Sequence, residues 1–122
     1  MLASVVEKET AEPRERPLIA GVFYNRLKIG MKLQSDPTVV YRVKNYSGKI
    51  TRKMLKAGTP YNTYVIKGLP AGPICNPGKY ALEAVLDPEK SDFLYFVSNN
   101  AGGHKFSKSL QEHNKAVRKY QR

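Results

Sequence analysis

Two glutamates two positions apart near the start of the chain, Glu7 and Glu9, are the residues best placed to do chemistry. The run from Leu2 to Thr10 reads as a helix with Leu2, Val5 and Val6 on one face. At roughly 100° per residue, Glu9 falls between Val5 and Leu2 on that apolar stripe, and Glu7 lies on its flank beside Ala3. A carboxyl on an apolar stripe is desolvated in its charged form, so its pKa rises and it stays protonated near neutrality. That is what a general acid for glycosidic cleavage requires. The same pattern also fits a carboxylate that pairs with a nearby Arg or Lys and only fixes the helix, and spacing alone leaves both readings open.

Other chemistries lack their signatures. Gly102-Gly103-His104 has neither the spacing nor the Lys-Ser/Thr pair of a phosphate loop, and no nucleophile elbow or His-Glu-x-x-His pattern occurs. A single cysteine, Cys75, excludes an internal disulfide. With His104 and His113 it makes too small a set for a structural zinc site. Set among Pro73, Ile74 and Pro77, Cys75 is expected to be a small packed side chain. No metal and no cofactor is expected.

The elements that must position the carboxyl follow from caps and periodicity. A second helix is expected from about Glu15 to Lys28, with Leu18, Ile19, Val22, Phe23 and Leu27 at helical spacing. Pro17 belongs in its first turn, Glu12 and Glu15 suit its positive end, and Gly30 is a natural stop. The middle, from Met31 to Asn76, is rich in Gly, Pro, Asn, Thr and Tyr and only weakly periodic. Short strands or turns are expected at Lys32–Gln34 and Tyr64–Lys67, and a short helix capped by Thr51 through Lys56. The tyrosines Tyr41, Tyr46, Tyr61 and Tyr64 favour an ordered, functional loop region there.

A third helix is expected from Lys79 to Leu86, stopped by Asp87-Pro88. Phe93 to Val97 reads as an apolar strand, Ser98 to Gly103 as a turn, and Lys105-Phe106 as the return. Ser109 and Glu112 make a capping box for a last helix with Leu110, Val117 and Tyr120 as its buried stripe. The fold class is α+β: several helices around a small antiparallel β element, in one domain over residues 1–122 with no internal repeat.

Among the 122 residues, 41% are hydrophobic and 25% charged, the balance of a globular, soluble chain. No stretch nears the roughly 18 apolar residues of a membrane span, and no signal-peptide pattern opens the chain. An apolar helix that starts at residue 2 without lead-in or cap reads as a domain entered partway through. Net charge is +11, unevenly spread: there is no acid from Pro37 to Leu82, against eight Lys and Arg. Such a field suits a polyanion, whether nucleic acid, anionic lipid or a wall polymer carrying carboxylates, or else is simply a solvated basic surface.

Several separated motifs carry a family resemblance. The runs Ala3-Ser4-Val5-Val6-Glu7-Lys8-Glu9-Thr10, Phe23-Tyr24-Asn25-Arg26-Leu27-Lys28-Ile29-Gly30-Met31 and Leu33-Gln34-Ser35-Asp36-Pro37-Thr38 closely resemble the YceG-like family. So do Tyr61-Asn62-Thr63-Tyr64, Gly68-Leu69-Pro70-Ala71-Gly72-Pro73-Ile74, Asn76-Pro77-Gly78 and Leu94-Tyr95-Phe96-Val97. The motifs occur in order over nearly the whole chain. Ala71 departs from the pattern, where many members have a second proline.

The resemblance implies a lysozyme-like, YceG-like catalytic domain of the endolytic murein transglycosylases. Full-length members also carry an N-terminal membrane helix and a LysM-like region, so the membrane would be reached only through that anchor. The resemblance implies Glu9 as the catalytic acid, with Glu7 as second choice. Gln34, Asp36, Tyr61, Asn62 and Asn76 would contact substrate, although Asp36-Pro37 and Asn76-Pro77-Gly78 are equally strong turn signals. Asn25 and Arg26 would orient the catalytic helix.

The implied substrate is the peptidoglycan glycan strand, cut between N-acetylmuramic acid and N-acetylglucosamine to leave 1,6-anhydro ends and so terminate glycan elongation. The implied place is the cell envelope, on the periplasmic, extracytoplasmic face of the inner membrane, with cell-wall synthesis enzymes as further partners. No nucleic acid partner is expected, because the bases are not interleaved with aromatics in a recognised motif. A non-catalytic wall-binding domain, with Glu9 purely structural, is the rival reading, beside a basic nucleic-acid-binding domain. The family often carries the label aminodeoxychorismate lyase, but that chemistry needs a larger scaffold for pyridoxal phosphate and a Schiff-base lysine.

Overall fold

Apolar periodicity becomes a three-helix core in the computed structural model, which describes residues 1–10, 12–41, 48–100 and 103–120. The first helix, α1, spans Leu2–Glu9, and its Leu2, Ala3, Ser4, Val5 and Val6 are buried. A short 3-10 turn at Pro13–Glu15 leads into α2, Arg16–Lys28, with proline in its first turn as expected. This helix is enclosed by its neighbours: Ile19, Ala20, Val22 and Phe23 are inaccessible to solvent. Gly30 ends it at φ +73°, a conformation that suits glycine. Its N–H reaches Leu27 O and the Met31 N–H reaches Arg26 O, the paired bonds of a Schellman stop.

The third large helix of the core, α5 (Lys79–Leu86), lays Ala81 and Ala84 against α1 and α2. Small residues at this contact let the helix axes approach closely. Beyond α5 the chain returns along α2, where Glu89 N–H donates to Pro17 O at 3.0 Å. A side chain at Gly21 would place its Cβ 2.3 Å from the Glu89 carbonyl oxygen, so only glycine fits.

An antiparallel hairpin pairs β1 (Tyr95–Ser98) with β2 (His104–Ser107), Tyr95 opposite Ser107 and Ser98 opposite His104. Phe96 anchors it to the core by an edge-to-face contact with Phe23 at 5.8 Å. The last helix, α6 (Leu110–Tyr120), packs across this hairpin and starts with Glu112 N–H on Ser109 Oγ. Glu112 does reach back as in a capping box, but to the N–H of Lys108. The architecture is thus α+β, helices with one two-stranded antiparallel sheet among the described residues. No helix among these residues is long and apolar enough to cross a membrane.

Thr51 caps a one-turn helix, α4 (Arg52–Leu55), as anticipated, accepting from Met54 N–H. Of the two segments expected as short strands or turns, Tyr64–Lys67 lies in turns and bends, whereas Lys32–Gln34 is irregular and joins no ladder. Asp36-Pro37 opens a short helix, α3 (Asp36–Val40), with the proline in its first turn where no N–H is needed. The stripe of α6 also differs. Leu110 is 55% exposed and Ala116 is the residue buried, because the helix rests on a narrow hairpin and not on a broad core. Tyr46 and residues 101–102 of the hairpin turn lie outside the described residues.

Candidate active site

Glu7 and Glu9 are separated by the turn of one helix into two different settings. Glu7 accepts from Arg16 Nη2 at 3.2 Å through one oxygen and from the Gly78 N–H at 2.6 Å through the other. Both oxygens are therefore engaged in tying α1 to α2 and to the start of α5. The fit is close: a Cβ on Gly78 would stand 2.7 Å from Glu7 Oε1.

Glu9, at the C-terminal end of α1, opens into a cleft of about 400 Å³. Its near wall is Gln34, Asp36 and Tyr64, and its far wall is Tyr95, Phe96, Leu110, His113 and Asn114, with Arg26 between them. A second lobe of about 430 Å³ shares Glu9, Asp36, Phe96 and His113 and continues past His104 and Val117. The Glu9 carboxyl is pushed up from 4.5 to about 7, by burial first and by the Asp36 charge second. The Ser35 hydroxyl and the Arg26 guanidinium act in the opposite direction and are outweighed. Ser35 Oγ is buried and completes no hydrogen bond of full geometry, which fits its being the weaker influence. The position adds to the effect, since the negative end of the helix dipole disfavours an anion.

The near wall is held by a polar network. Thr38 Oγ1 lies 2.8 Å from Thr63 Oγ1 and donates to Ser35 O at 2.6 Å, and Ser35 N–H donates to Thr63 Oγ1 at 2.9 Å. Gln34 N–H reaches Thr63 O at 3.2 Å, which helps to hold Gln34 at φ +52°, in the left-handed region rarely used by residues other than glycine. The Tyr64 hydroxyl donates to Asp36 at 2.6 Å. Burial, and then that bond, hold the Tyr64 hydroxyl far above the usual range for a phenol, so it remains a donor.

Arg26 spans the floor. Its Nε donates to Leu94 O at 2.7 Å and its Nη1 to Leu33 O, joining the near wall to the hairpin. Asn25 Nδ2 donates to Ser91 O and Phe93 O. These two residues therefore position the segment entering β1, and not α1 as the sequence suggested. The guanidinium also lies 5.5 Å from the centroid of the Tyr95 ring.

Of the residues expected to touch substrate, Gln34 and Asp36 share the cleft with Glu9. Tyr61, Asn62 and Asn76 are not among its lining residues. Asn62 is buried, with Nδ2 donating to Met54 O, Leu55 O and Ala57 O and Oδ1 accepting from Tyr64 N–H, so it stops α4 and sets the following turn. Tyr61 packs on Tyr41 with ring centroids 4.7 Å apart. Asn76 is exposed in the approach to α5. Tyr64, Tyr95, His113 and Asn114 were missed. Tyr64 and Tyr95 stood inside matched motifs, whereas nothing in the sequence marked His113 or Asn114.

A larger cavity of about 570 Å³ opens on the other side of Asp36, lined by Lys8, Pro37, Val40, Gly48 and Ile50. Among the described residues that line it, Asp36 is the one carboxyl. Cys75 is half-buried with Sγ on Ser4 O at 3.3 Å, and burial raises its thiol pKa, as for a packed cysteine rather than a reactive one.

Fold and site together define an α+β domain with one raised carboxyl at the base of an open polar cleft. The chain belongs to the YceG-like family, whose model matches residues 1–119. It is 48% identical over 119 residues to the endolytic murein transglycosylase of Bacillus subtilis (strain 168), covering 98% of this chain and 33% of that protein. It is 39% identical over 120 residues to the endolytic murein transglycosylase of Streptococcus pneumoniae (strain D39), covering 91% of this chain and 21% of that protein. The crystal structure of a YceG-like protein from Listeria monocytogenes superposes with a TM-score of 0.85 at 52% identity, over 93% of this chain and 36% of that one. The chain thus spans a third or less of the curated relatives it matches.

Proposed function

We propose that this chain is the catalytic domain of an endolytic murein transglycosylase and that Glu9 is its acid. The observation that carries this reading is the Glu9 carboxyl, raised to about 7 in a polar cleft of about 400 Å³. A carboxyl of that pKa is protonated in a large fraction of molecules at neutral pH and can both give and take a proton. The names of the relatives supply the substrate class, a peptidoglycan glycan strand.

In the proposed reaction the protonated Glu9 donates to the glycosidic oxygen between N-acetylmuramic acid and N-acetylglucosamine. The C1–O bond breaks, and the 2-acetamido oxygen of the substrate stabilises the positive charge developing at the muramyl C1. Glu9, now a carboxylate, removes the proton of the muramyl C6 hydroxyl, whose oxygen closes on C1 to give the 1,6-anhydro end. Water is not consumed, so the reaction is a lyase reaction. No second carboxylate has to act as nucleophile or base. Asp36 then has a supporting part: its charge raises Glu9, and with Gln34 it offers polar contacts to the sugar. Asn62 and Tyr61 serve by shaping the near wall. The net charge of +11 suits a strand whose stem peptides carry carboxylates. Such a substrate places the domain in the cell envelope, outside the cytoplasmic membrane, where wall-synthesis enzymes work on the same strands.

Uncrosslinked glycan strands incubated with the protein and with its Glu9→Gln variant, followed by mass spectrometry of the products, test the proposal. Anhydromuramic ends from the parent alone are expected. Reducing ends would identify a hydrolase and remove the one-acid mechanism, and equal products from both proteins would remove Glu9 from it.

A further inference from the structure

The cleft holds a histidine whose two ring nitrogens stand in different surroundings. His113, on α6, lines both lobes together with Glu9. Its ring stacks on Tyr95, with centroids 5.0 Å apart and planes 24° from parallel. Nδ1 is fully buried and has no hydrogen-bond partner among the described residues. Nε2 is not enclosed in that way and is likewise unbonded. A buried N–H without an acceptor forfeits a hydrogen bond to water, so the single proton of the neutral ring belongs on Nε2, where solvent or a ligand can receive it. Burial, and then the Arg26 cation, lower the pKa of the ring, which keeps it in that neutral form.

Two of the neighbouring donors are engaged elsewhere, at least in part. Arg26 directs Nε and Nη1 at the carbonyl oxygens of Leu94 and Leu33, and the Tyr64 hydroxyl gives its proton to Asp36. A sugar bristles with oxygen acceptors, and Glu9 and Asp36 offer it chiefly acceptors in return. His113 is a side-chain donor whose orientation is fixed, through its stack on Tyr95; the amides of Gln34 and Asn114 have no such restraint.

We propose that His113 contacts the substrate, donating from Nε2 to an oxygen of the N-acetylated sugar that lies beside the bond Glu9 protonates, with Tyr95 fixing the plane of the ring. This rests on the reading of the cleft as a glycan site. The consequence is specific: the donor, and not the ring's shape, carries the interaction. Phenylalanine keeps the stack and loses the donor, whereas glutamine can place an amide N–H near the Nε2 position.

The test is calorimetric binding of a tetrasaccharide of alternating N-acetylglucosamine and N-acetylmuramic acid to the full-length protein bearing Glu9→Gln, where turnover is blocked. Adding His113→Phe is expected to weaken binding about tenfold, equivalent to about 1.4 kcal/mol, with the melting temperature little changed. Adding His113→Gln is expected to restore affinity to within about threefold of the Glu9→Gln protein. Unchanged affinity in both, or equal losses in both, would overturn the proposal while leaving the glycan site in place. If the Glu9→Gln protein does not bind the tetrasaccharide at all, the glycan reading of the cleft falls, and the proposal with it.

Discussion

Thr38 and Thr63, 25 residues apart in the chain, meet hydroxyl to hydroxyl at 2.8 Å with both side chains fully buried. Thr63 Oγ1 also accepts from Ser35 N–H, and Thr38 Oγ1 accepts from Thr63 N–H, so the pair fastens α3 to the turn before Tyr64. Thr63→Val keeps the volume and removes the oxygen, leaving the Ser35 N–H without its partner. We expect a loss of about 1–3 kcal/mol in denaturant unfolding. Because Asp36 follows directly on Ser35, glycan cleavage should fall by more than the unfolded fraction explains.

The Glu9 carboxyl gives a pH dependence whose sign is opposite to that of an ion-paired glutamate. In the unfolded chain it returns to the ordinary 4.5, while in the fold it stands at about 7, so between these values the folded state holds the extra proton. Its contribution to stability is complete below about pH 4.5 and is lost as pH rises through about 7. The span corresponds to about 3 kcal/mol. Glu9→Gln should therefore lose that part of the pH dependence and be more stable than the parent at pH 8, with the gap closing towards pH 5. Urea titrations of both proteins at the two pH values measure it; parallel profiles would mean that the carboxyl is solvated.

Glu7 and Glu9 should separate cleanly in function. Glu7→Gln keeps the shape but loses the charge that meets Arg16 and the Gly78 N–H, at a cost of about 1–2 kcal/mol. Its cleavage rate, measured well below the melting temperature, should stay within a few-fold of the parent. Glu9→Gln should abolish cleavage without lowering stability at neutral pH. The reverse pattern would make Glu7 the acid.

Arg26 couples the cleft floor to Glu9. Arg26→Met leaves the buried carbonyl of Leu33 and that of Leu94 without their donor and withdraws a cation that holds the Glu9 pKa down. Stability should drop by about 2–4 kcal/mol, and the Glu9 titration followed by carboxyl NMR should move upward. Arg26→Lys should recover little, because one ammonium on a flexible stem does not reproduce two diverging N–H groups.

Gly21→Ala is a stringent test of the return past α5. The new methyl would meet the Glu89 carbonyl oxygen far inside contact distance, and that oxygen belongs to backbone held by Glu89 N–H on Pro17 O. A loss of about 2–3 kcal/mol is expected despite alanine's better helix propensity. A neutral or stabilising result would mean that the segment after Asp87-Pro88 gives way freely.

What could be read from the residues was what local rules govern. The boundaries of α2 and α5 follow from Pro17, Gly30 and Asp87-Pro88, and the stripe of α1 by itself turns Glu9 inward. The near wall escaped because its order is non-local. Asp36-Pro37 looks like a turn until Thr63 holds Ser35 from 28 residues away, and Lys32–Gln34 looks like a short strand or a turn until it proves to be irregular, with no neighbour to pair with it. Asn62 looked like a sugar ligand because an amide is equally suited to closing the end of α4. His113 could not be found from spacing, since its place depends on how α6 crosses the hairpin.

The surroundings that raise Glu9 come from α2, α3, the hairpin and α6, so no short stretch of chain contains them. A newly made or partly opened molecule has the same glutamate, but with the ordinary acidity of a solvated carboxyl, ionised at neutral pH and unable to donate. The raised carboxyl is therefore armed last, by the closing of the fold itself. Under the proposed function this is a safeguard built into assembly: fragments and misfolded copies carry the residue without the reactivity.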